Sequence, residues 1–268
     1  MLILFLIPFS LFLTGCGSDK DKIKVGTIKY LNVTETALAE IYEQKLNMNY
    51  GGESHEYIFF DNMNAMAAAL NSGQIDEIST YESVAEYIEL RNGNIDWTMT
   101  EPELTNMFCC AMLKDDSDLK KEFDDAISNM TADGTLAQLV KTYINDFTHD
   151  QTPKIIHMPK FDGAETIKIG VTGDLPLLDY ISPDGVPAGF NTAVLAEISN
   201  RIKKNFMLVQ VDSGARVTAL SSEKVDVIFW AVVSEDKRIG DIDRPEGVIF
   251  TKPYFSDEIV HVRLGTRN

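Results

Sequence analysis

The apolar positions of the chain fall into short runs that alternate between two periods. From Ile23 the run IKVGTI predicts a strand, and the helix after it carries Val33, Ala37, Leu38, Ile41, Tyr42 and Leu46 on one face. Asn32, with Glu35 three residues later, predicts its N-cap. A strand over Glu56–Phe60 leads to a short helix with Met63, Met66, Ala67 and Leu70 inward. Ser72-Gly73 then turns the chain into a strand entered at Ile75-Asp76, and a helix with Val84, Tyr87 and Ile88 inward follows. The same rhythm returns later. TIKIGV (166–171) is a strand, Pro183-Asp184-Gly185 a turn, and Asn191–Lys204 a helix with Val194, Leu195, Ile198 and Ile202 on one face. Phe206–Val211 is a strand, 213–222 a short helix and Val225–Trp230 another strand.

Even the wording repeats. Ala69-Leu70-Asn71-Ser72-Gly73-Gln74-Ile75-Asp76 is echoed by Ala219-Leu220-Ser221-Ser222-Glu223-Lys224-Val225-Asp226. Strands alternating with helices predict an α/β fold of two units, each a mostly parallel sheet flanked by helices. Two helices, Ser117–Met130 and Thr135–Phe147, separate the units, and residues 148–166, with two prolines and little periodicity, are the expected linker. The division is therefore one lobe over 23–147 and a second over 167–268.

Charge divides the chain as well. The net formal charge is −17, and residues 17–150 carry 10 basic against 25 acidic side chains where residues 151–268 carry 14 against 16. An acidic balance of this kind argues against a nucleic-acid partner, which needs a basic face to neutralise phosphates. Three cysteines exclude a disulfide framework.

The first residues read as an address. Leu2–Leu13 (LILFLIPFSLFL) is an almost unbroken apolar run whose twelve residues would reach about 18 Å as a helix, short of a hydrocarbon core of about 30 Å. A secretory segment fits better than a span. Leu13-Thr14-Gly15-Cys16 resembles a bacterial lipobox, which implies a signal peptide over 1–15, acylation of Cys16, and a tether over 16–22 that holds the protein to the outer face of the membrane.

The second half resembles the first lobe of type II periplasmic solute-binding proteins of the polar amino-acid ABC-importer group. The residues that carry the resemblance are Gly173-Asp174-Leu175-Pro176-Leu177-Leu178, Asp184-Gly185, Gly189-Phe190-Asn191, Ala219-Leu220 before Val225-Asp226, Ser234-Glu235-Asp236-Lys237-Arg238 and Lys252-Pro253-Tyr254-Phe255. The first half resembles the other lobe through Val25-Gly26, Ser72-Gly73-Gln74-Ile75-Asp76 and Ala132-Asp133-Gly134-Thr135-Leu136. That last segment normally closes such a protein. Here it precedes the segment that normally opens one, so the chain resembles a circular permutant, with a tandem-domain remnant as the alternative.

The resemblance implies a two-lobed fold that shuts over a small polar solute. It places the arginine that holds a solute carboxylate on Arg238, by a bidentate charge-assisted pair. Asp174 and Glu235 lie on neighbouring motif positions. The family's two aromatic clamps fall on Leu175 and Ser213, and its hydroxyl-bearing positions on Trp230, Ala231 and Val233; Trp230 offers a replacement stacking face or is a core residue at a strand end. In the other lobe Asn32 takes the place of a threonine where main-chain N–H groups favour an anion, and the acidic residue that grips an α-amino group falls on Tyr81.

The expected function is capture of an amino acid or related carboxylate by a monomer for an ABC permease. The alternatives are a sensor that signals to a membrane kinase or cyclase, and a dehydratase-type enzyme using Asp174 and Glu235 as an acid–base pair. Cys109-Cys110 read as buried thiols of a strand. His55, His149, His157 and His261 lack metal-ligand spacing, and no phosphate loop or nucleophile elbow occurs, so no cofactor or metal is expected.

Overall fold

The computed structural model describes residues 22–46 and 54–265; the apolar leader and Cys16 lie outside the described residues. The elements run β1 (Ile23–Ile28), α1 (Glu35–Glu40), β2 (His55–Phe60), α2 (Met63–Asn71), β3 (Glu77–Tyr81), α3 (Glu82–Asn92), β4 (Ile95–Met99), β5 (Thr105–Leu113), α4 (Ser117–Ala132) and α5 (Thr135–Val140). The second half continues with β6 (Thr166–Val171), β7 (Tyr180–Ile181), β8 (Pro187–Ala188), α6 (Phe190–Ile202), β9 (Asn205–Gln210), α7 (Arg216–Ser221), β10 (Val227–Ser234), β11 (Val248–Phe250) and β12 (Phe255–Leu264). Helix α1 is capped by Thr34, whose Oγ1 accepts from Ala37 N at 3.2 Å, rather than by Asn32.

Ten strands join in one sheet in the order β2-β1-β3-β12-β5-β10-β6-β9, with β4 beside β12 and β11 beside β5. The sheet has two equivalent halves, each an α/β lobe. One is β2-β1-β3-β12-β4 and the other β9-β6-β10-β5-β11, with the strands parallel except for β12 in the first and β5 in the second.

Each lobe thus completes its sheet with a strand from the opposite half of the sequence. The sheets therefore do not divide at the boundaries 23–147 and 167–268: β5 pairs with β10 and α4 and α5 pack on α6, while β12 sits between β3 and β4. Burial explains the exchange. Asn106 and Phe108–Met112 of β5 and Ile259–Val262 of β12 are mostly buried, and strands apolar on both faces need neighbours on both edges and cover on both sides. β5 and β12 also pair with one another, antiparallel, from Phe255 opposite Phe108 to Glu258 opposite Thr105. These two adjacent strands are the covalent connection between the lobes.

The echoed segments fold alike. Gln74 and Ile75 donate to Ala69 O as Lys224 and Val225 donate to Ala219 O, so each helix ends in the same turn. Asp76 then exchanges hydrogen bonds with Lys24 main chain (2.8 and 2.9 Å), and Asp226 does so with Lys168 (2.7 and 2.8 Å). The repeated aspartate latches the turn to the first strand of its lobe, satisfying the main-chain groups of Lys24 and Lys168 just before the ladder to the next strand begins.

Candidate functional site: the seam between the lobes

The carboxyl ends of β1 and β3 in one lobe face the ends of β6 and β10 in the other, which is where open parallel sheets place ligands. In this structure the two lobes meet there directly. Ser213 N donates to Asp61 O at 3.1 Å, Met63 N donates to Asp174 Oδ1 at 3.2 Å, and Asn32 Nδ2 donates to Ile242 O at 3.1 Å. Asp243 Oδ1 accepts from both Asn32 N (2.8 Å) and Val33 N (3.3 Å). Gly214 permits the approach: a Cβ added there would lie 2.0 Å from Asp61 Oδ1.

Arg216 stands at the centre, 1% exposed. Its guanidinium lies over the Trp230 ring at 4.4 Å and donates from Nε to Ser213 O, from Nη1 to Trp230 O, and from Nη2 across the seam to Lys29 O. A buried arginine is tolerable when its donors are paired in this way. Burial lowers its pKa, an effect that Asp243, Asp174, Tyr81 and Asp179 counter. The same burial raises Asp243 and Asp174 to about 6, with hydrogen bonds to Asn32 and Ser213 opposing the shift. Tyr30 is pushed well above its ordinary value by burial, then by Tyr42 and Tyr81.

Around Tyr30 and Trp230 the seam holds two small cavities. A cavity of about 20 Å³ is lined by Thr27, Lys29, Tyr30, Thr80, Tyr81, Leu175 and Trp230 among others. A second of about 30 Å³ lies on the other side of Tyr30, against Asn106, Ser234 and Asp243. Each has room for about one water. Thr80 Oγ1, buried in the wall of the first, has no hydrogen-bond partner among the described residues. A larger polar groove of about 510 Å³ lies along the seam where Met63 meets Asp174, lined by Asn62, Asn64, Tyr180, Gln210 and Asp212.

The expected site residues separate into two sets. Trp230, Tyr81, Asp174 and Asn32 all lie at the seam. Trp230 Nε1 is committed to Thr172 Oγ1 (3.2 Å), and Tyr81 Oη accepts from Asn106 Nδ2 (3.2 Å). Asp174 Oδ2 accepts from Ser213 Oγ at 2.6 Å. Arg238 and Glu235 are exposed and line neither cavity. In this structure Arg238 is thus placed away from the cavity that Trp230 and Tyr81 line. Asp236, two residues earlier, takes its main-chain N–H at 2.8 Å and Nε at 3.0 Å, and this local pairing holds the side chain at the surface. The acid–base pair of Asp174 and Glu235 is not assembled either, since one is buried in the seam and the other faces solvent.

Two buried charged residues of the seam, Arg216 and Asp243, were not among those expected. Arg216 lies three and four residues before Ala219 and Leu220, on the buried face of α7, and that periodicity was a readable signal. Asp243 sits in a polar stretch with no pattern to mark it. Cys109 and Cys110 are buried free thiols, raised by burial. Among the described residues no three His, Cys, Asp or Glu side chains are grouped to hold a metal, and no helix is long and apolar enough to cross a membrane.

Residues 167–268 match the sequence profile of the bacterial extracellular solute-binding proteins, family 3. The chain is 26% identical over 99 residues to a probable histidine-binding protein of Campylobacter jejuni, covering 37% of this chain and 36% of the relative. It is 24% identical over 102 residues to an L-arginine-binding protein of Pseudomonas aeruginosa, covering 38% and 37%. The matches thus span little more than a third of these curated relatives. Among solved structures, the ligand-binding component of an ABC-type import system from Staphylococcus aureus with zinc bound aligns over 91% of this chain and 66% of its own, at 14% identity and a TM-score of 0.44. The GluR0 ligand-binding core in complex with L-glutamate aligns over 93% and 87%, at 10% identity and a TM-score of 0.42.

Proposed function

We propose that this chain is an extracytoplasmic binding protein that holds a small polar solute, an amino acid or related carboxylate, at the seam between its lobes and presents it to a membrane ABC permease. The observation that carries the reading is the family 3 segment placed within a two-lobed α/β fold whose halves are joined by the exchanged strands β5 and β12. Adjacent crossing strands of this kind allow hinge closure, and a solute that touches both lobes favours the closed state. The two curated relatives are named for histidine and arginine, so basic amino acids head the candidate solutes. Leu13-Thr14-Gly15-Cys16 supports a lipid anchor at Cys16. The exchange of β5 and β12, with α4 and α5 packed on the lobe of the later half, supports a permuted lobe order.

A sensor reading keeps one observation in its favour: the seam is already filled by Arg216, Trp230 and Asp243, so contact with a partner would open the lobes as readily as cargo. A thermal-shift panel of amino acids, small carboxylates, oligopeptides and polyamines tests the main reading. A ligand at 100 times its dissociation constant adds about 2.7 kcal/mol, which moves a chain of this size by several degrees. One solute class is expected to do so. A panel without effect at millimolar concentration would overturn transport of such solutes.

A further inference from the structure

Two charged side chains of the chain itself sit where a charged solute would find its partners. Asp243 is 5% exposed and reaches across the seam to a residue 211 positions away, where its Oδ1 takes two consecutive main-chain N–H groups, Asn32 and Val33. A consecutive N–H pair facing a cleft is a natural partner for a carboxylate. Arg216 places a guanidinium against an aromatic face, Trp230, with three main-chain carbonyls around it, one of them from the opposite lobe. Stacking plus carbonyl acceptors is how a cation is held. Around Tyr30, beside these two groups, lie the cavities of about 20 and 30 Å³.

We propose that Arg216 and Asp243 are built-in occupants of the interlobe site, a tethered cation and a tethered carboxylate that close the lobes on the chain's own charges. They make the contacts that a zwitterionic solute would make, and such a solute enters only by displacing them. The apparent affinity for solute is then the intrinsic affinity reduced by the fraction of chains in which the seam is open. This inference rests on the two-lobe reading of the site but needs no solute to be tested.

The test is hydrogen exchange on the solute-free protein, read at seam amides remote from each substitution. In Asp243→Ala the readouts are the amides of Ser213 and Met63, which cross the seam to Asp61 and Asp174. In Arg216→Ala they are the amides of Asn32 and Val33, which hold Asp243. Each set is expected to exchange about tenfold faster or more than in the wild type, while core strand β10 stays protected. Millimolar acetate should restore protection to Asp243→Ala alone, and methylguanidinium to Arg216→Ala alone. Unchanged exchange at the remote amides would overturn the proposal, as would both ions acting alike on both variants. If Arg216→Ala does not fold, the acetate arm on Asp243→Ala decides by itself. A failed solute panel with successful chemical rescue would refute the transport reading and leave this one standing.

Discussion

Phe108→Ala is expected to destabilise the protein by about 3–5 kcal/mol, the range for emptying a fully buried aromatic site. Phe108 is 0% exposed, on β5 just where that strand pairs with β12. Its ring meets Tyr81 at 4.8 Å, Phe255 at 5.6 Å, Trp230 at 6.1 Å and Tyr254 at 6.4 Å, and those residues come from both lobes. Truncation removes apolar contact and several edge and tilted ring pairs at once. The hinge cannot collapse around the void, because Tyr254 N is fixed to Phe108 O and Phe255 is held in register opposite. At roughly 2–4 °C per kcal/mol for a chain of this size, the melting temperature should fall by on the order of 10 °C. Calorimetric melting of the variant gives the answer, and a loss under about 1 kcal/mol would show that the lobes do not depend on this junction.

The second large effect is a dependence on pH. Burial raises Asp174, Asp243 and Asp257 to about 6 from an ordinary 3.8. A carboxyl that is harder to ionise folded than unfolded favours the folded state while protonated. Its contribution is complete below about pH 4 and is lost as pH rises through 6. A two-unit shift corresponds to about 2–3 kcal/mol for each group, a ceiling rather than a sum because the groups differ in burial. Asp133 shifts the other way, to about 2, through Thr135 and Arg201, but its effect falls below pH 4, outside this window. The melting temperature is therefore expected to be several degrees higher at pH 5 than at pH 7.5, and Asp243→Asn should flatten the difference. A melting temperature that climbs steadily from pH 5 to 7.5 would contradict the burial of these carboxyls.

Much of this fold was legible in the chain. IKVGTI and TIKIGV are β1 and β6, and the echoed segments ending in Asp76 and Asp226 fold into the same latch because the same turn and the same aspartate recur at the same spacing. The exchange of β5 and β12 was not legible. MFCCAML is apolar on both faces, which predicts a buried strand but leaves its neighbours open, since strand pairing across the chain has no local signature. For the site, Trp230 and Tyr81 were expected from motif spacing and both lie at the seam, Trp230 within β10 and Tyr81 at the end of β3. Spacing does not say which way Arg238 turns, because it lies in a turn where a carboxylate two residues away pairs with it. Arg216 could have been found from its place on the buried face of α7. Asp243 could not, because only the meeting of two lobes gives a polar loop residue its partners.

These residues make one claim together: the seam is the solute site, and Asp243 competes there with a solute's carboxylate. Titration calorimetry with the carboxylate-bearing solute that gives the largest thermal shift, on the wild type and on Asp243→Ala, tests it most directly. The account predicts one solute per chain and an affinity at least about tenfold higher in the variant, whose freed N–H groups at Asn32 and Val33 receive the solute. Equal affinities in the two proteins would put the solute somewhere other than the seam, and no binding by either would contradict the account altogether.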